Sequence, residues 1–276
     1  MPLVIDHPLH HDFRTTGISV LPSAIAQRQE IAPVRLLLLD FDSAGSDREA
    51  SGGTSQSLTG LLALLSNTPL QVELAVDLPA DGDATFDGVI AAGSDAAHLT
   101  TTFPNSSASL FIGEVARRDL QARHGITAEQ LTRPLTEIVQ HRITGDGSPL
   151  TAGQEPVVDV PVARDWRIGM NAISAVPTLQ ILAHAPKAGV HLVYEPAIRR
   201  LFVLNHLALT PLGFARQRRR LSPIRAGDEQ RTEQDDDLPL YTWRAHAHLL
   251  VSSWLNVAVY QPTSLAGWLH ADVATT

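Results

Sequence analysis

The sequence of 276 residues contains no cysteine. That absence excludes disulfides, thiolate metal sites and a thiol nucleophile anywhere in the chain. An excess of basic charge is also lacking. There are 29 acidic against 21 basic residues and a formal net charge of -8, which argues against a general nucleic-acid binder. No apolar run approaches the roughly 18–20 residues that span a bilayer. Residues 1–13 carry Asp6, Asp12 and three histidines, with neither the basic start nor the apolar stretch of a secretory signal. A soluble, cytoplasmic protein with no nucleic-acid or membrane partner is expected. What is present in quantity is apolar material. Hydrophobic residues make up 44% of the chain, enough for a sizeable core. The length suits one large domain, with or without a substantial C-terminal extension.

The patterning alternates strands with helices. Residues 34–39 (VRLLLL) end in Asp40 and read as a buried strand. Residues 42–57 are small, polar and glycine-rich, a flexible loop. Residues 58–65 look helical, and residues 70–76 alternate as a strand does. Residues 86–92 form another buried strand ending at Gly93. Residues 109–112 (SLFI) run straight into Gly113-Glu114 and a helix over 115–124, closed by Gly125. This order predicts a parallel α/β sheet. Ligands in such sheets bind beyond the carboxyl ends of the strands, so the turns after Leu39, Ala92 and Ile112 are the first places to look. Residues 179–183, 190–194 and 200–204 are further strands, the last ending at Asn205-His206. The basic stretch 216–225 and the acidic stretch 228–237 read as a solvated helix end and a loop. Residues 243–260 read as a C-terminal helix, and the first thirty residues as an irregular lead-in.

Several segments together carry a resemblance. They are Leu64-Leu65-Ser66-Asn67-Thr68-Pro69-Leu70-Gln71-Val72, Phe86-Asp87-Gly88-Val89-Ile90 with Gly93, and Thr242-Trp243-Arg244-Ala245-His246 followed by Leu249-Leu250, Trp254-Leu255-Asn256 and Val259-Tyr260-Gln261. In their order and spacing the chain resembles the homoserine O-succinyltransferase family, the homoserine transacylases of methionine biosynthesis. The resemblance implies a flavodoxin-like parallel α/β sheet of the class I glutamine-amidotransferase type with a C-terminal extension, as a homodimer. It implies an arm over 1–33, the family domain over 34–264 and a tail over 265–276. It also implies acyl transfer from acyl-CoA to homoserine through a cysteine acyl-enzyme, with a histidine base, an orienting glutamate and a lysine-assisted oxyanion site. No cofactor is expected beyond acyl-CoA as co-substrate.

Carried over residue by residue, the resemblance places Gly113 where the family has its cysteine. Glycine has no side chain to acylate. Glu114 follows in a place the family gives to an aromatic residue. His206 matches the base, and Ala208 stands where the orienting glutamate belongs. The loop 42–57 contains no lysine. Pro134 matches a substrate-contacting lysine and Ala163 a substrate serine. Arg220, within Arg218-Arg219-Arg220, matches the arginine that holds the amino-acid carboxylate, with its register open among the three. Gly93, at the turn that closes the matched strand over residues 86–92, is matched to substrate binding.

These replacements predict a divergent member, a pseudoenzyme for thiol-dependent acyl transfer, which keeps a metabolite-binding or partner role toward an amino acid or acyl-CoA. The alternative is a working acyltransferase in which His206 acts as general base without an acyl-enzyme. In that case Glu114 takes a new acid/base role; otherwise it is a carboxylate favoured at a helix start. Ser106, Ser107 and Ser109 are weak candidates for a substitute nucleophile. His7, His10 and His11 with Asp6 and Asp12 have ligand types but no zinc spacing, and no metal is expected. His246 and His248, two residues apart, fall on different faces of a helix.

Overall fold

A computed structural model describes residues 3–6, 17–28, 34–41, 56–66, 70–75, 86–93, 108–145, 147–221 and 238–261. Among these, eleven strands form one sheet. They are β1 (Leu3–Val4), β2 (Val20–Leu21), β3 (Val34–Asp40), β4 (Leu70–Ala75), β5 (Gly88–Ala92), β6 (Ala108–Ile112), β7 (Glu129–Ile143), β8 (Val157–Arg167), β9 (Gln180–Ala185), β10 (Gly189–Glu195) and β11 (Arg200–Val203). The helices are α1 (Ser23–Arg28), α2 (Gln56–Leu65), α3 (Glu114–His124), α4 (Met170–Ser174), α5 (Pro211–Leu221) and α6 (Arg244–Trp254), which a π-helical turn, Leu255–Tyr260, continues.

The strand order is β2-β1-β4-β3-β5-β6-β11-β10-β9-β7-β8. Pairing is parallel from β2 across to β11 and antiparallel from β11 onward to β8. The unbroken apolar run of β3 follows from burial on both faces. Leu36 and Leu38 pack into a core with Leu61, Leu62 and Trp254. Leu37 and Leu39 pack into a second core with Val115, Ala116 and Leu120 of α3.

Two departures from the sequence reading matter. The lead-in is not irregular throughout, because β1 and β2 extend the parallel sheet beside β4. Leu3, Val4 and Ile5 are buried there. The second departure is the long hairpin of β7 and β8, which the patterning did not reveal. Its register shifts between Gln130 and Leu135, around Pro134, whose missing N–H is tolerated at such an irregularity. The two C-terminal segments behave as expected, with α6 and its π-helical extension covering 244–260.

Candidate functional site

The site lies where the parallel strands end. β6 passes through Gly113 into α3. Gly113 has φ 65° and ψ -123°, the first corner of a mirrored type II turn, which glycine dominates. Its N–H donates to the carbonyl of Val203 at 2.8 Å, so the elbow is locked to the end of β11. His206 lies three residues beyond Val203, past the end of that strand. Among the described residues outside its own chain neighbours, a Cβ built on Gly113 would meet only the Cδ2 of His206 within 4 Å, at 3.8 Å. The bend and the histidine therefore face each other across the space a side chain at 113 would fill.

That space belongs to a cavity of about 200 Å³. It is walled by Gly93 after β5, Gly113 and Glu114 at the elbow, Arg164 and Trp166 on β8, and Asn205 and His206 after β11, with Gln217 and Leu221 of α5 closing one side. Of the residues singled out in the sequence, Gly93, Gly113, Glu114, Ala163 and His206 thus come together. Arg220 does not join them. It is exposed, and α5 turns Gln217 and Leu221 to the cavity instead. Ser109 is buried in β6 with its Oγ accepting from Nε of Arg200 at 2.8 Å, and it is not among the lining residues. Ala208 is fully buried in the apolar core beside α2.

Glu114 is held by its own helix. Nε of Arg117 donates to Oε2 at 2.8 Å and Nε of Arg118 to Oε1 at 2.9 Å, and Nη2 of Arg117 also contacts Oε1. The hydrogen bond with Glu114 is the main reason the guanidinium of Arg117 is pushed above its ordinary value. Both carboxylate oxygens of Glu114 are thereby engaged by arginines.

Arg164 is the residue the sequence reading missed. It is 6% exposed. Its Nη1 donates to the carbonyl of Leu204 and its Nη2 to that of Ala188, both at 2.8 Å. Its guanidinium stacks 4.3 Å from the centroid of Trp166. Burial alone pulls it down to about 9. The available signal was one arginine following the strand-like VVDVPVA, where an apolar or small residue is the ordinary choice.

Behind the site runs a buried string of polar side chains. His246 Nδ1 meets Oε1 of Gln154 at 2.8 Å, His246 Nε2 meets Nε2 of His191 at 3.2 Å, and Nδ1 of His191 meets Nδ2 of Asn205 at 3.1 Å. The Gln154 oxygen can only accept, so His246 carries its proton on Nδ1. His191 then donates from Nε2 and accepts from Asn205. His141, whose ring lies 5.1 Å from that of His191, bonds the carbonyl of Val139 through Nδ1 at 2.9 Å. Burial is the first cause that holds all three below the ordinary histidine value, to about 4 for His141 and His246 and well below for His191. His248, two residues on, is only partly buried.

Among the described residues no group of three or more His, Asp or Glu is placed to hold a metal ion, and no helix is long and apolar enough to cross a membrane. Asp6 accepts the N–H of Ser23 at 2.9 Å. His7, His10, His11, Asp12, Ser106, Ser107, residues 42–55 and the stretch 222–237 lie outside the described residues.

The mostly parallel α/β sheet is that of the class I glutamine-amidotransferase fold, as solved structures of that fold show. A glutamine amidotransferase from Methylobacillus flagellatus superposes with a TM-score of 0.51 at 13% identity, over 82% of this chain and 95% of its own. A glutamine amidotransferase from Thermotoga maritima gives 0.50 at 10% identity, over 83% and 99%. Within that fold class, residues 98–265 match the family model for homoserine O-succinyltransferase, and the chain belongs to this family. It is 28% identical to a homoserine O-acetyltransferase of Synechococcus sp., over 96% of this chain and 100% of the relative. It is 29% identical to one of Bacteroides fragilis, over 90% and 92%.

Proposed function

We propose that this chain keeps the small-molecule pocket of the homoserine O-acyltransferases and has lost their covalent thiol chemistry, acting as a metabolite-binding or partner protein. The observation that carries the reading is the elbow. Its backbone bend and its facing histidine are both in place, and the residue between them is a glycine in a chain without cysteine. An acyl-enzyme needs a nucleophilic atom at that tip. Ala208 supports the same reading, because the position matched to the orienting glutamate is apolar core. In catalytic triads, loss of the nucleophile alone removes about as much rate as loss of the whole set. The chain is further proposed to be cytoplasmic and homodimeric, with an amino acid or acyl-CoA as ligand. The acyl group is left open between acetyl and succinyl, as the names of the relatives and of the family differ.

The second reading rests on His206 at the cavity wall. A bound hydroxyl would attack the thioester carbonyl directly. Its proton would pass to His206 as the new C–O bond forms, and from there to the CoA thiolate as the C–S bond breaks. One assay separates the two. Protein is given acetyl-CoA or succinyl-CoA with homoserine, CoA release is followed, and intact mass is recorded. The expected result is neither an acyl adduct nor release above background, with thermal stabilisation by one ligand. Turnover that vanishes in His206→Ala would establish the direct route instead.

A further inference from the structure

The buried string of polar side chains joins two cavities. At its inner end Asn205 lines the cavity of His206. At its outer end Gln154 and His246 line a second cavity of about 460 Å³ at the start of α6, together with Asp159 and Thr242. Gln154 comes from the loop between β7 and β8, His246 from α6 and His191 from β10, and Asn205 follows β11. Four separate parts of the chain thus meet in one line of hydrogen bonds.

The hydrogens on this line can be counted. Nε2 of Gln154 donates to the main-chain carbonyl of His246 at 3.3 Å, which turns Oε1 toward Nδ1 of the same histidine at 2.8 Å. Each neutral imidazole brings one ring hydrogen. His246 spends its own on Gln154, and His191 fills the junction between the rings. Asn205 must then supply the hydrogen at Nδ1 of His191. Among the described residues Oδ1 of Asn205 is buried with no hydrogen-bond partner, so His191 alone decides which way this amide faces. The count holds while the rings are neutral. Burial first, then the nearby His141, His246 and Arg164, keep His191 well below the ordinary histidine value.

Turning the outer amide reverses every member. If Gln154 offered Nε2 instead, His246 would carry its hydrogen on Nε2 and His191 on Nδ1, and Asn205 would have to present its oxygen. A string turned only halfway would set two hydrogens, or two lone pairs, against each other away from water, and that is costly. The two amides therefore turn together.

We propose that Gln154, His246, His191 and Asn205 form a polarity relay, in which the hydrogen-bonding sense of the amide at the outer cavity fixes the sense of the amide in the wall of the His206 cavity. Gln154, His246 and His191 are positioning residues that act through Asn205. The relay makes the outer cavity a control point for the inner one. It is independent of what the inner cavity holds, so it stands or falls apart from the reading of the elbow.

The test reads the ring hydrogens directly. Full-length protein with isotope-labelled histidine is studied by NMR at neutral pH, where long-range correlations show which nitrogen of each ring is protonated. Wild type should carry hydrogen on Nδ1 of His246 and Nε2 of His191. Gln154 is half-buried in a loop, so the substitutions are made there. Gln154→Glu, which can only accept, should leave the pattern unchanged. Gln154→Lys, which can only donate, should move the hydrogen to Nε2 of His246 and Nδ1 of His191 and shift the side-chain amide signals of Asn205. Asn205→Asp asks the same question from the inner end and holds even if the lysine variant does not fold. Its carboxylate can only accept, so Nδ1 of His191 should become protonated. A merely structural string would lose stability in these variants without moving its ring hydrogens. Hydrogen on Nδ1 of His191 in the wild type, a Gln154→Lys protein that reverses His246 alone, or an Asn205→Asp protein with Nδ1 of His191 still bare would each overturn the proposal.

Discussion

Gly60 sits inside α2, where glycine costs a helix about 1 kcal/mol against alanine. Propensity alone therefore favours Gly60→Ala. The packing opposes it, because a Cβ there would lie 1.7 Å from the carbonyl oxygen of Ala208. That neighbour is backbone, in the buried turn just after His206, and cannot rotate away. Overpacking of this kind costs about 1–3 kcal/mol. A contact this short falls at the upper end of that range, so the expected outcome is a net loss of stability of about 2 kcal/mol in urea unfolding, despite the better helix former. An unchanged or raised midpoint would mean that α2 can slide off the His206 turn. The same contact shows why only part of the site was legible. Gly113 and His206 stand at strand ends, where sequence order points directly to a ligand site. Arg164 depends on a hairpin folding over from the far end of the sheet, and no local pattern signals that.

The strands β7 and β10 and the helix α6 meet at His141, His191 and His246, all buried. Their acid–base behaviour couples these elements to pH. In the unfolded chain each would titrate near 6.5. In the fold, burial lowers His141 and His246 to about 4 and His191 well below the ordinary value. The unfolded state therefore binds more protons than the folded state below pH ~6.5. Their contribution is constant above that pH and is lost as pH falls from about 6.5 toward 4, with a slope approaching roughly 1.4 kcal/mol per pH unit for each histidine. Urea midpoints measured from pH 8 to 4.5 should be flat at first and then drop, and His246→Gln should shallow the fall. A profile without a break near 6.5 would show that these rings stay solvated. In the sequence, β3, β5, β6 and α3 were readable because each is a short apolar run or an amphipathic stretch with a glycine at its end. β7 was not, because polar residues and Pro134 interrupt its alternation and its buried positions include a histidine.

Across the whole molecule, one edge of the sheet is closed by the start of the chain. Leu3 and Val4 of β1 and Ile5 just after it are 0–1% exposed, and a strand of two residues is too short for periodicity to announce it. Leu3→Ala or Ile5→Ala should each cost about 2–5 kcal/mol, read as a lower thermal midpoint; a loss under about 0.5 kcal/mol, the scale of surface substitutions, would show that the segment does not dock. The opposite edge, β8, is four places from β11 in the sheet order, about 19 Å across a flat sheet. Arg164 nonetheless reaches Leu204. The separation is closed because β7 pairs with β9 only through Arg142 and Ile143, which leaves the rest of the hairpin to swing over the elbow. The guanidinium is the clasp of that overhang. Removing it in Arg164→Met should unfasten roof from floor and speed the exchange of the hairpin's amide hydrogens with solvent.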